Sequence, residues 1–109
     1  MKTRTREIYE VVYKTVTKEA FKADSRAVEG HKRFAQNLPD PKMVSEEDAA
    51  ILSAMVCSTN SNDWGLGGFF HTPLESGETL GQFVRKNLRL RDYMEYVPKM
   101  EDVAKKYMK

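Results

Sequence analysis

Apolar residues recur at steps of three and four along the first third of the chain, which is the pattern of one buried helix face. The series comprises Ile8, Val11, Val12, Val16, Ala20, Ala23, Ala27, His31, Phe34, Ala35 and Leu38. Residues 8–17 are also rich in Val, Thr, Ile and Tyr, and their alternation would suit a strand. The helical period continues in phase after the alternation stops, so the pattern favours a helix.

A first helix of this length would extend beyond the rest of a domain of this size. A straight helix from about Thr5 to Asn37 would be roughly 50 Å long at about 1.5 Å per residue. A domain of this size has a radius of gyration of only about 13 Å. Either the helix bends near Asp24 and Ser25, which can both cap a new helix, or a second copy or a partner covers its protruding apolar stripe.

The next boundary and the next helix are predicted from local chemistry. Leu38-Pro39-Asp40-Pro41 ends the first helix, because proline disfavours helix in the residue before it and lacks an amide hydrogen. Ser45 followed by three acidic residues predicts a capped helix start. Residues 49–57 are apolar almost all round, which is typical of a helix enclosed by other elements. We therefore expect a buried central helix here.

The second half of the chain predicts a loop and two further helices. Residues 58–71 carry Ser, Asn and Gly without a helical period, which indicates a long irregular loop. A third helix is predicted to begin at Thr72 or after Gly77, and its core face comprises Leu80, Phe83, Val84 and Leu88. Pro98 is predicted to open a final helix, whose inward residues are Met100, Val103, Ala104 and Tyr107.

The predicted fold class is therefore a single all-α domain over residues 1–109. It has four to five helices, a long or kinked N-terminal helix, a buried central helix and an irregular loop of glycines and aromatics. The size and composition agree, because 109 residues with 40% hydrophobic and 31% charged side chains suit one folded domain with one core.

Charge is distributed unevenly although the net charge is only +2. Residues 1–38 hold nine basic and five acidic groups, residues 39–78 hold one and seven, and residues 79–109 hold eight and four. The three segments thus carry +4, −6 and +4. This asymmetry either presents charged surfaces to a ligand or a partner, or reflects pairing between the segments.

Cys57 is the only cysteine, which excludes an intramolecular disulfide and every zinc site built from several cysteines. A reducing compartment and hence a cytoplasmic location are expected. The longest apolar run is far shorter than the roughly 20 residues of a membrane-spanning helix, and no signal peptide is expected at the N-terminus. No membrane partner is predicted.

The first candidate binding surface is the loop over residues 64–71, with Trp64, Phe69 and Phe70 as contact residues. Its glycines allow close approach of a ligand or partner, and its aromatic side chains supply large rigid contact area. The alternative is that these aromatics cover a small core.

The second candidate surface is basic and comprises Arg85, Lys86, Arg89 and Arg91. Four cations within seven residues can bind phosphate oxygens or a carboxylate-rich surface. The alternative is an ordinary solvated helix face.

Catalytic and metal sites have weaker support. Cys57 and His71 could act as nucleophile and base, but the apolar surroundings of Cys57 favour an inert thiol. Glu46, Glu47 and Asp48 are explained by their place in the first turn of a helix. No enzymatic activity, cofactor or metal is expected.

The leading functional hypothesis is a non-enzymatic interaction protein, such as a small subunit, adaptor or inhibitor, which self-associates or docks through its N-terminal helix. The second hypothesis is a binder of nucleic acid or a nucleotide. In that case the basic surface would contact phosphates and the aromatic loop would stack on a base.

Overall fold

The computed structural model describes residues 5–20, 37–57, 69–88 and 97–107. These ranges contain four α-helices, which we number α1 (Thr5–Ala20), α2 (Glu46–Met55), α3 (Leu80–Leu88) and α4 (Val97–Tyr107). A 3-10 turn, Pro41–Met43, precedes α2. Over the same ranges the extended pairing is limited to an isolated antiparallel bridge between Pro73 and Thr79. The prediction of an all-α fold is confirmed.

The N-terminal segment is helical throughout residues 8–17, so the strand alternative is wrong. Of the predicted apolar stripe of α1, Ile8, Val12 and Val16 are at most 1% exposed and Val11 is partly buried. Tyr9, which the stripe did not include, is also fully buried. α1 packs chiefly on α2 and also contacts α3. Along α1, the chain's own helices therefore cover the apolar stripe.

A hydrogen bond between Tyr9 and Pro39 excludes a single straight helix from Thr5 to Asn37. The Tyr9 hydroxyl donates to the Pro39 carbonyl at 2.7 Å. In a straight helix, two residues separated by that stretch of sequence would lie about 45 Å apart. The predicted bend at Asp24 and Ser25 lies outside the described residues.

α2 is the central helix, as predicted. The Ser45 hydroxyl accepts a hydrogen bond of 3.1 Å from the Asp48 amide, which caps the helix. Every residue from Ala49 to Met55 is buried. α2 contacts each of the other three described helices, which explains why an apolar surface all round is stable here.

α3 begins at the second of its two predicted positions, after Gly77. Thr79 and Gln82 form a reciprocal capping box: the Gln82 amide donates to Thr79 Oγ1 at 3.2 Å, and the Thr79 amide donates to Gln82 Oε1 at 2.9 Å. Leu80 and Val84 are fully buried. The predicted core face of α3 is therefore confirmed.

The last described helix also buries the residues that its spacing predicts. Met100, Val103 and Ala104 are at most 6% exposed, and Tyr107 is partly buried against the same core. α4 packs on α2.

Candidate functional site

The acidic start of α2 is paired with basic residues from the two ends of the chain. Glu46 Oε1 lies 3.8 Å from Nε of Arg6 in α1, and Glu47 Oε1 lies 2.8 Å from Nζ of Lys99 in α4. The unequal charges of the three segments are thus matched inside the molecule at this point. Internal pairing, one of the two interpretations of the asymmetry, is the one seen at the start of α2.

Asp48 forms the best-enclosed of these contacts. Its Oδ2 accepts hydrogen bonds from Lys106 Nζ at 2.9 Å and from the Tyr107 hydroxyl at 2.7 Å. Partial burial by itself would raise the pKa of Asp48, but the hydrogen bonds from Lys106 and Tyr107 outweigh it and hold the pKa below its ordinary value. The Asp48 carboxylate of α2 therefore links the two helices through two hydrogen bonds from α4. The described parts of the chain hold no group of three or more side chains suited to a metal ion.

The one cysteine is held as a protonated thiol. Cys57 Sγ donates to the Gly81 carbonyl at 3.5 Å, and burial raises the pKa of the thiol to about 11. His71 is exposed, and its ring makes an edge contact with Phe70 at 5.0 Å between ring centroids. Neither residue is placed to activate the other by these contacts.

The aromatic loop is divided between core and surface. Phe69 is 2% exposed and belongs to the core, as the alternative interpretation of this loop expects. Phe70 is half-buried, and its ring lies directly over Gly81 of α3. Trp64 lies outside the described residues. Phe69 thus belongs to the core, and Phe70 packs against the start of α3 at Gly81.

The basic surface is described only in part. Arg85 and Lys86 are exposed on α3. Arg89 and Arg91 lie outside the described ranges, so the proposed cluster of four cations stays a prediction.

A surface cleft that the sequence did not suggest lies between α1, the turn over residues 72–78 and Phe83 of α3. We call it the α1 cleft; its volume is about 550 Å³. Val11, Leu74 and Phe83 line it and are partly buried against the core, so they form an apolar floor.

The two walls of the α1 cleft differ in the sign of their net charge. Lys14 and Lys18 lie on the α1 wall, one helical turn apart and both exposed. Glu75 and Glu78 lie on the wall formed by the turn. Glu19 also lines the α1 wall and makes an interaction of its own. The cleft therefore combines an apolar floor with a rim of both signs.

No protein-family model, curated protein or solved structure matches this chain. Among the helices of the described ranges, none is long and apolar enough to cross a membrane.

Proposed function

We propose that this chain is a non-enzymatic interaction domain that binds protein through the α1 cleft, in the role of a small subunit, adaptor or inhibitor. The observation that carries the proposal is the cleft itself, with an apolar floor and charged walls. Protein interfaces have this arrangement of an apolar centre within a polar rim.

The character of the walls favours a protein ligand over a small molecule. A volume of about 550 Å³ suits either. Small-molecule sites, however, place a few fixed polar groups inside the pocket. Here the charged groups are long side chains of both signs at the rim, such as Lys14 and Glu75. Such a rim complements a chain surface that carries both acidic and basic residues.

The chemistry of the candidate catalytic groups also favours binding over catalysis. A cysteine nucleophile needs its thiolate, and burial keeps the Cys57 thiol protonated near neutral pH. The carboxylates of Glu47 and Asp48 are engaged in contacts between helices.

The test is the intact mass of the assembly that the tagged native chain forms in its source cells. Thr15 lines the α1 cleft, and Thr15→Arg would fill it. Thr17→Arg is the matched control, because it makes the same exchange on the same helix at a residue that is not among those lining the cleft. We expect a mass above that of one chain, retained with Thr17→Arg and lost with Thr15→Arg. An assembly that survives Thr15→Arg would exclude this surface.

A second candidate function is the binding of an anionic ligand. The exposed positions of Arg85 and Lys86 on α3 favour it. Titration with oligonucleotides and nucleotides at low salt tests it, since phosphate binding of this kind weakens steeply as salt rises. Binding that is absent, or unchanged in Arg85→Ala/Lys86→Ala, would exclude it.

A further inference from the structure

We infer that the occupant of the α1 cleft is a second copy of this chain, in a two-fold symmetric dimer in which the 72–78 turn of each copy enters the cleft of the other. This inference rests on the proposed function and names the partner.

The charges of the cleft are self-complementary, which is what a two-fold interface requires. In such an interface the same surface patch of both copies is in contact, so every contact between a residue of one copy and a residue of the other occurs twice, once in each direction. A cleft with both walls of one sign would repel its own copy. Here the α1 wall, on which Lys14 and Lys18 outnumber Glu19, can face the acidic turn of the second copy, with Glu75 and Glu78. The reverse contact forms at the same time.

The turn also has the position and shape to enter a cleft. Glu75, Ser76 and Gly77 are exposed at its tip. Because the turn forms one wall of its own cleft, a two-fold axis beside the turn can place each turn in the cleft of the other copy. This geometry makes the two insertions equivalent and closes the assembly at two chains.

The turn is ordered before it binds. The Leu74 amide donates to the Glu78 carbonyl at 2.8 Å, and the Gly77 amide donates to the Leu74 carbonyl at 2.9 Å. Gly77 has a φ of +94°, which glycine adopts without strain. A turn that is already ordered loses little conformational entropy on insertion, and this favours association.

The test exchanges the charges of the two walls in separate variants. One variant is Lys14→Glu/Lys18→Glu, and the other is Glu75→Lys/Glu78→Lys. Each variant alone brings like charges together at both contacts, so we expect its self-association to weaken about tenfold or more at low salt. An equimolar mixture pairs opposite charges at both contacts, so we expect a mixed dimer in sedimentation velocity and native mass measurements.

The control variant is Arg85→Glu/Lys86→Glu, which reverses two exposed cations of α3 that do not line the cleft. It should dimerise as the native chain does. The exchanged side chains at residues 14, 18, 75 and 78 line the surface of the cleft, so we expect every variant to keep the native fold. Far-UV circular dichroism and urea unfolding of each variant check this.

Separate results would overturn the dimer and the proposed function. A native chain that stays monomeric, variants that dimerise undiminished, or a mixture that forms no mixed dimer would each overturn the second copy as occupant. If the purified chain is monomeric but Thr15→Arg abolishes a larger assembly in cells, the dimer is wrong and the proposed function stands.

Discussion

Gly81 lies in the first turn of α3 under the ring of Phe70, and we expect Gly81→Ala to destabilise the protein. A Cβ added at this position would lie 2.1 Å from Phe70 Cδ2 and 2.3 Å from Phe70 Cε2. Carbon atoms in favourable contact are about 3.5–4.0 Å apart. The Gly81 amide also donates to the Phe70 carbonyl at 2.9 Å, which ties the two backbones together. The ring must therefore swing outward and lose its packing on α3.

The size of the effect follows from two opposing contributions. Overpacking of this kind costs about 1–3 kcal/mol, and two overlaps well below van der Waals contact put the cost in the upper part of that range. Alanine gains at most about 1 kcal/mol over glycine from its helix propensity. We expect the free energy of unfolding to fall by about 1–2 kcal/mol, from the difference of these contributions.

The assay is urea unfolding followed by far-UV circular dichroism on four chains: native, Gly81→Ala, Phe70→Ala and the double variant. Without the Phe70 ring the clash is gone, so Gly81→Ala should stabilise the Phe70→Ala chain by up to about 1 kcal/mol. The effect of Gly81→Ala on the free energy of unfolding should therefore change sign between the native chain and the Phe70→Ala chain, which identifies the Phe70 ring as the source of the clash. Stabilisation of the native chain by Gly81→Ala, or equal effects in both backgrounds, would refute the reasoning.

Three further predictions concern contacts between distant parts of the chain and helix ends. Tyr9→Phe removes the hydrogen bond to Pro39 and should lower the free energy of unfolding by about 1 kcal/mol in urea; an unchanged midpoint would contradict this. Thr79→Ala removes the cap of α3 and should cost about 1 kcal/mol, whereas Ser76→Ala in the adjacent exposed turn should cost much less; equal losses would contradict a capping role. The lowered pKa of Asp48 means that its carboxylate stabilises the fold above the unfolded-state pKa of 3.8, and that this stability is lost as pH falls through the folded-state pKa. Below about pH 4, the thermal midpoint of Asp48→Asn should therefore fall less steeply with pH than that of the native chain. The same decrease of the midpoint with pH in both chains would contradict this.

Helix positions could be predicted because their signals are local. Ser45 and the apolar face of α3 act through neighbours a few residues away, and the sequence displays those neighbours directly. The two possible starts of α3 show the limit of such signals. Both resemble capped helix starts, and the pairing of Thr79 with Gln82 decides between them.

Contacts between distant parts of the chain could not be predicted from the same patterns. Tyr9 meets Pro39, and Asp48 meets Tyr107, across sequence separations of 30 and 59 residues. The charges of the three segments indicated that pairing was possible, but the identity of the partners depends on how the helices pack. The period of α1 predicted its core face correctly, and it carried no information about which flank would border a cleft.

The aromatic loop illustrates a related ambiguity. Phe69 and Phe70 are adjacent and chemically identical, so composition cannot assign one to the core and the other to the surface. Their difference arises from the start of α3, where the absence of a side chain at Gly81 admits the ring of Phe70. The glycines of the aromatic loop indicated close approach of a ligand or partner, whereas the close approach seen at Gly81 involves Phe70 of the same chain.

The most direct test of the account is the light-scattering mass of the purified native chain over a wide range of concentration at low salt. The account predicts a rise from 12.6 kDa towards about twice that value, with Thr15→Arg remaining at the lower mass. A mass of 12.6 kDa throughout for the native chain, or a rise that Thr15→Arg leaves intact, would contradict self-association through the α1 cleft.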